Sequence, residues 1–179
     1  MKTVVASLAI GLSLTAAPAS ASELFGGVFA HNVDLPTTIG SPEGGADFQL
    51  GVRSEPLVRL FRTGELRAYG FGSVNSGHGL DFAAAGAVLR FPLTDRLYLQ
   101  PGVGLAIHDG PGGDIPRRSD RLYLGSRVVA QLELMLGWQL SPRVAIEAGQ
   151  VHLSHAKLLS DQNPGMDDLG VRLVWRFGG

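Results

Sequence analysis

Residues 123–139 read YLGSRVVAQLELMLGWQ, and this stretch decides the fold class. From Val128 every second residue is apolar as far as Leu140, whereas the positions between them include Gln131 and Glu133. A period of two is the pattern of a β-strand, because successive side chains of a strand point to opposite faces. The segment is therefore predicted to be a strand with one apolar face and one polar face.

Two other segments show the same alternation clearly. Near the C-terminus the apolar face is Leu169, Val171, Leu173, Trp175 and Phe177, set against Arg172 and Arg176. In the middle of the chain Leu97, Leu99, Val103, Leu105 and Ile107 oppose Tyr98, Gln100 and His108. Turn residues divide the chain into eight such segments, at residues 23–32, 46–59, 65–75, 79–91, 96–108, 123–139, 143–155 and 167–177. Most are long enough for a tilted membrane strand, which needs about 9–11 residues.

Alternation alone would also fit a soluble β-sandwich. A sandwich, however, would not usually keep so many charges opposite a continuous aliphatic face, whereas a barrel with lipid outside and a polar lumen satisfies both faces. The chain has no cysteine for disulfides and its 25 glycines favour tightly curved strands. We expect a salt-bridge network in the lumen, formed by Arg127, Glu133, Glu147, Arg172 and Arg176.

The connections between segments also differ in length. Short links near 62–64, 92–95 and 141–142 fall at one end, and long links at 34–45, 109–120 and 156–166 fall at the other, with one short outer link at 76–78. Short periplasmic turns and long extracellular loops are typical of outer-membrane barrels. The sequence thus predicts an all-β fold, an eight-stranded antiparallel transmembrane β-barrel of the outer membrane, with Trp138 and Trp175 at the periplasmic interface.

The N-terminus has the features of an export signal. Lys2 precedes an apolar stretch at 4–17, and Ala19-Ser20-Ala21 has the small-x-small pattern of a cleavage site. The apolar stretch is shorter than the roughly 20 residues of a spanning helix. We therefore expect residues 1–21 to be a signal peptide and residues 22–179 to be the barrel domain. The net charge of −1 predicts no nucleic-acid partner.

One outward face carries candidate chemistry. Gln150, His152 and Ser154 share the face of Ile146, and the antiparallel register that pairs Ile146 with Leu173 also pairs His152 with Asp167. Cross-strand partners lie about 4.5–5.5 Å apart. By the same parity, Glu147 and Asp168 point into the lumen.

A serine, a histidine and a carboxylate form the set that nucleophilic acyl transfer uses. The base removes the proton of the hydroxyl, and the acid orients the imidazole and stabilises the imidazolium. The alternative is that His152, Ser154 and Asp167 are ordinary polar residues at the interface, where a charge on the lipid face costs only about 0–1 kcal/mol. Spacing alone leaves both interpretations open.

His152-x-Ser154-x-Ala156, followed by Asn163-Pro164-Gly165-Met166-Asp167, resembles the motif of the lipid A 3-O-deacylase family of outer-membrane enzymes. The resemblance implies that Ser154 is the nucleophile, His152 the general base and Asp167 the orienting acid. It also implies an oxyanion hole near His155, which stands where the family has asparagine, and Ala156. The implied substrate is an ester of lipid A, the anchor of lipopolysaccharide.

Two other functions remain as alternatives. One is a structural or adhesive barrel without activity, and the other is a phospholipase that uses the same outward site. The expected partners are lipopolysaccharide and the other lipids of the outer membrane, and a homodimer is left open. We expect no cofactor and no metal site.

Overall fold

The computed structural model describes residues 21–35, 43–60, 64–111, 121–154 and 165–177. The predicted signal peptide lies outside these residues, except for Ala21. The described residues form nine β-strands: β1 (Ala21–Ala30), β2 (Ala46–Ser54), β3 (Val58–Leu60), β4 (Gly64–Asn75), β5 (Phe82–Pro92), β6 (Leu97–His108), β7 (Val128–Gln139), β8 (Val144–Ser154) and β9 (Met166–Arg176). In the described part of the chain, no helix is long and apolar enough to cross a membrane.

The strands close into an antiparallel barrel. Sequence neighbours pair with each other from β4 to β9, β9 pairs with β1, and β1 pairs with β2. The ring closes because β2 also pairs with β4, from Asp47 with Asn75 to Arg53 with Tyr69. The predicted eight-stranded barrel is confirmed.

The second predicted strand, residues 46–59, is not continuous. It is interrupted at residues 55–57 and resumes as β3, which pairs only with β4. Pro56 lies in the interruption, and proline has no backbone N–H to donate to a strand ladder. Pairing resumes at once after it, because the Leu57 N–H donates to the Leu66 carbonyl at 2.8 Å.

The two faces of the wall have the predicted polarity. Leu134, Trp138, Leu173 and Trp175 are each about half exposed on the outside, whereas Arg172 is buried inside. The other outward apolar residues include Val28, Phe48, Leu50, Val74, Val103, Leu105, Ile107, Leu132, Leu136, Ile146 and Val171. An apolar outer surface of this kind is suited to lipid.

Apolar residues also cover the end of the barrel that carries the longer connections. Leu80, Leu122 and Leu124 are buried there, although none of them belongs to a strand. Their packing explains why two predicted strands, 79–91 and 123–139, begin later in the structure than the hydrophobic pattern suggested.

A charge network fills the end of the lumen that carries the short turns. Glu23 accepts hydrogen bonds from Arg53 at 2.8 Å and from Arg90 at 2.7 Å. Glu147 accepts two from Arg53, at 3.1 and 3.0 Å, and one from the Tyr98 hydroxyl at 2.8 Å. Every charged group of this network is buried and paired, as a lumen sealed from lipid requires.

The predicted lumen pairs are confirmed in part. Glu133 accepts a hydrogen bond from Arg172 at 3.0 Å, and Arg176 donates to Glu23 at 3.0 Å. Arg127, however, is exposed just before β7 begins, so its assignment to the lumen was wrong. It precedes the ladder, where strand parity no longer fixes the direction of a side chain.

Candidate active site

The register of β8 and β9 places His152 opposite Asp167. Ile146 is paired with Leu173 in the same ladder, as strand parity predicted. The pair lies at the last residues of β8 and the first residues of β9, at the end of the barrel with the longer connections. Both side chains belong to the outward set of their strands, so the site faces the surroundings of the barrel rather than its lumen.

His152 and Asp167 are in direct contact. The Nδ1 atom of His152 lies 2.7 Å from Oδ1 of Asp167. The Asp167 side chain is fully covered, whereas the His152 side chain keeps 17% of its surface exposed. A carboxylate can only accept at this contact, so Nδ1 carries the proton and Nε2 is left as a base.

A second donor holds the same carboxylate oxygen. The side-chain amide of Gln150 donates to Oδ1 of Asp167 at 2.5 Å. Gln150 lies one outward position before His152 on β8 and is only partly buried. Its place on the outward face was evident from the sequence, but its contact with Asp167 was not. The sequence shows Gln150 as a polar residue two positions before His152, and therefore on the same face of the strand.

The backbone at the start of β9 is also fixed from the neighbouring connection. The Val33 N–H donates to the Asp167 carbonyl at 2.7 Å. The Asn32 N–H donates to Oδ1 of Asp168 at 3.0 Å. Asp168 is buried in the lumen, as its parity predicted. Asp167 is therefore held through both its carbonyl and its carboxylate. It is more buried than a residue of an open surface patch would be.

Ser154 is the last residue of β8 and is paired with Ala130 of β7. It lies two positions beyond His152 on the same face, a Cα separation of about 6.7 Å along a strand. Its side chain is largely buried, and among the described residues its hydroxyl makes no hydrogen bond, to His152 or to any other group. Contacts between nucleophile and base are often loose in a free enzyme and tighten when substrate binds.

The other predicted site residues cannot be placed. His155 and Ala156, the expected oxyanion donors, lie outside the described residues, as do Asn163 and Pro164. The described part of the motif is His152, Ser154 and Asp167, with Gly165 and Met166 leading into β9.

Comparison with solved structures gives the same architecture. The crystal structure of the outer membrane enzyme PagL matches with a TM-score of 0.67 and 16% identity, over 87% of this chain and 100% of that chain. A designed transmembrane β-barrel matches with a TM-score of 0.54 and 9% identity, over 88% and 97%. Neisserial surface protein A matches with 0.52 and 12%, over 87% and 96%. At such identities the likeness concerns the fold alone. None of the curated protein sequences matches the chain.

The closed wall with an apolar exterior defines a β-barrel of the outer-membrane type, and the outward face of β8 and β9 carries the polar candidate site. The family model of lipid A 3-O-deacylase (PagL) matches residues 44–176. The chain belongs to the lipid A 3-O-deacylase family, whose members are ester hydrolases, and it is a protein of the outer membrane.

Proposed function

We propose that Ser154, with His152 and Asp167, hydrolyses the 3-O-linked acyl ester of lipid A in the outer leaflet and releases a 3-hydroxy fatty acid. One observation carries the assignment of residues: His152 Nδ1 lies 2.7 Å from a covered carboxylate on the outward face, two positions before a serine. A histidine oriented by an acid beside a serine is the arrangement that activates a hydroxyl for acyl transfer.

The first half of the reaction forms an acyl-enzyme. Ser154 Oγ attacks the ester carbonyl carbon while His152 Nε2 takes the hydroxyl proton. Asp167 stabilises the imidazolium through its contact with Nδ1. The tetrahedral intermediate then collapses, the C–O bond to the sugar breaks, and His152 gives the proton to the departing sugar oxygen.

The second half regenerates the enzyme. His152 takes a proton from a water molecule, and the resulting nucleophile attacks the acyl carbon on Ser154. When this intermediate collapses, the bond to Oγ breaks and His152 returns the proton to Ser154. The products are the free 3-hydroxy fatty acid and lipid A with a free 3-hydroxyl.

The negative oxygen of each intermediate needs donors. We assign them to a ring N–H of His155 and the backbone N–H of Ala156, on the family resemblance of the motif. Oxyanion donors are typically worth about 10²–10³ in turnover each. Changing His155 to asparagine, the family residue, should therefore preserve or raise the rate if the side chain is such a donor.

The position of the site suits a substrate within the membrane. His152 and Asp167 lie close to the end of the apolar wall, where the acyl esters of lipid A, just below its sugars, would reach them from the side. A homodimer would have to leave this side of β8 and β9 open to lipid. Crosslinking in membranes, with a single cysteine either on the opposite wall or on β8, distinguishes a dimer that leaves the site open from one that covers it.

Mass spectrometry of lipid A tests the reaction. Lipid A from cells that produce the protein should be lighter by one 3-hydroxyacyl chain than lipid A from cells that lack it. An unchanged lipid A profile with new lysophospholipids would assign the site to phospholipid instead. No change in either lipid would favour a barrel without enzymatic activity.

A further inference from the structure

A second polar cluster lies inside the barrel, on the lumen side of the wall that carries Asp167. It consists of His31, just after β1, Asp47 of β2 and Asp168 of β9. One ligand atom of each residue lies within 4.8 Å of the others. The side chains of all three are completely buried.

The inner contacts of the cluster converge on one ring nitrogen. His31 Nδ1 lies 2.8 Å from Oδ2 of Asp47 and 3.7 Å from Oδ1 of Asp168. Oδ2 of Asp168 is buried and has no hydrogen-bond partner among the described residues. A buried carboxylate oxygen without a donor is costly unless a cation compensates it.

Each of the three side chains also contacts a residue outside the cluster. Asn75 donates its side-chain amide to Oδ1 of Asp47 at 2.7 Å, and the Asn32 N–H donates to Oδ1 of Asp168 at 3.0 Å. Glu43 lies behind the ring, with Oε2 3.8 Å from His31 Nε2. Metal-binding histidines usually direct their second nitrogen to a carboxylate, and ligating carboxylates are themselves hydrogen-bonded.

We propose that His31, Asp47 and Asp168 bind a divalent transition-metal ion of the Zn²⁺, Co²⁺ or Mn²⁺ type. One imidazole and two carboxylates are a suitable donor set for such ions, whereas Ca²⁺ requires six to eight oxygens. The formal charges also balance: Arg121 Nε lies 3.6 Å from Oε1 of Glu43, so Asp47 and Asp168 supply two negative charges to the dication once His31 is neutral.

A proton is the competitor of the metal. Burial lowers the pKa of His31, but its contacts with Asp47 and Glu43 and the charge of Asp168 outweigh burial and raise the pKa to about 10. The carboxylates that would bind a metal thus also favour the protonated form of His31 when no metal is bound. A bound metal displaces that proton and ties the ends of β1, β2 and β9 to one centre.

The proposal does not depend on the acyl-transfer site. Asp167, on the other face, is not a ligand, and binding is measured without turnover. It is tested on the full barrel, refolded in detergent micelles without a histidine tag and titrated with Co²⁺. One equivalent should bind, with the visible absorption of a cobalt centre, and Zn²⁺ should displace it. The same equivalent should raise the temperature at which the barrel loses its compact gel mobility, and a chelator should reverse this.

Variants locate the ion. His31→Asn and Asp168→Asn should abolish stoichiometric binding. Asn75→Ala, which removes the hydrogen bond to Asp47 together with those that Asn75 Oδ1 accepts from the Gly77 and Gly79 N–H groups, should weaken it by about 10–100-fold. His108→Asn is the matched control, because His108 is also buried at the end of β6 but contacts the Ser126 carbonyl and no carboxylate of this cluster. This variant and His152→Asn should bind as the parent does.

Two results would overturn the proposal. One is a parent protein that binds none of Co²⁺, Zn²⁺ and Mn²⁺ more tightly than about 1 mM. The other is tight binding that survives both Asn75→Ala and His31→Asn. Either result would leave the cluster as a buried ion pair held by the proton on His31. The parent titration can refute the proposal without any variant, and a single variant of the cluster that refolds is enough to test where the ion binds.

Discussion

Asp167 and His152 lie 15 positions apart in sequence and 2.7 Å apart in space. The β8–β9 ladder alone creates this contact, since a slip of one residue would turn one side chain into the lumen. Gln150 binds the same oxygen and adds a second constraint. The register of β8 and β9 therefore fixes the orientation of the His152 ring.

Asp167→Asn should lower kcat by about 10⁴-fold, the scale seen when the acid of such a triad becomes an amide. The new amide donates to Nδ1, which moves the ring proton to Nε2 and removes the base. Release of 3-hydroxy fatty acid from lipid A in micelles measures the effect. Asp109→Asn is the control, because Asp109 lies at the same end of the barrel and, among the described residues, its carboxylate accepts only from the Asp81 N–H. Equal losses in both variants would argue against an orienting role.

Gln150→Leu should lower kcat by about tenfold and leave KM unchanged. A hydrogen bond to a charged group contributes about 1.5–3 kcal/mol, and part of it is recovered by rearrangement around Asp167. Gln150→Glu should be worse, since a second carboxylate would repel Asp167. Gln139→Leu is the control and should have no effect on kcat, because Gln139 lies at the end of β7 that is far from the site. A Gln150→Leu enzyme with parental kcat would show that the hydrogen bond from Gln150 is not needed to position Asp167.

Glu147→Gln should destabilise the barrel by about 3–5 kcal/mol, because it breaks a fully buried ion pair and leaves Arg53 undercompensated. Glu65→Gln is the matched control: its pair with Arg67 is partly exposed and is worth about 0–1 kcal/mol. Urea unfolding in lipid vesicles, followed by gel mobility, measures both. A smaller loss for Glu147→Gln than for Glu65→Gln would contradict the assigned role of the lumen network.

The mature protein should begin at Ser22. A cut at this point would leave the β1–β9 seam intact, because the Ser22 carbonyl accepts from the Phe177 N–H at 2.9 Å. N-terminal sequencing of the protein from outer membranes measures it. Ala21→Leu should block cleavage, because the residue before the cut must be small. A parent protein that begins at Met1 would refute the signal peptide.

The eight-stranded closure of the barrel, the faces of the strands and the β8–β9 register could all be predicted from the period-two pattern and the turns between segments. That pattern reports only which residues meet lipid, and so it predicted Trp138, Leu134 and Arg172 correctly. Pro56 was visible in the sequence, but whether it ends a strand or merely interrupts one depends on pairing with β4. Leu124 lies within the predicted segment 123–139, but it is buried without belonging to a strand, since β7 begins only at Val128.

The lumen was less accessible to sequence reasoning. His31, Asp47 and Asp168 come from three separate strands or strand ends, and only barrel closure brings them together. Glu23 and Arg53 were missed for the same reason, since neither has a charged partner nearby in sequence. On the outer face, the contact of Gln150 with Asp167 is diagonal across two strands, and simple pairing does not predict it.

Hydrolysis by Ser154→Ala tests the central claim most directly. Parent and variant barrels are refolded in micelles, shown to be folded by heat-modifiable gel mobility, and mixed with purified lipid A. Ser141→Ala, in the short turn after β7, is the serine control and should act as the parent does. We predict that Ser154→Ala folds normally and releases 3-hydroxy fatty acid about 10⁶-fold more slowly than the parent. Release at the parental rate by folded Ser154→Ala protein would contradict the account.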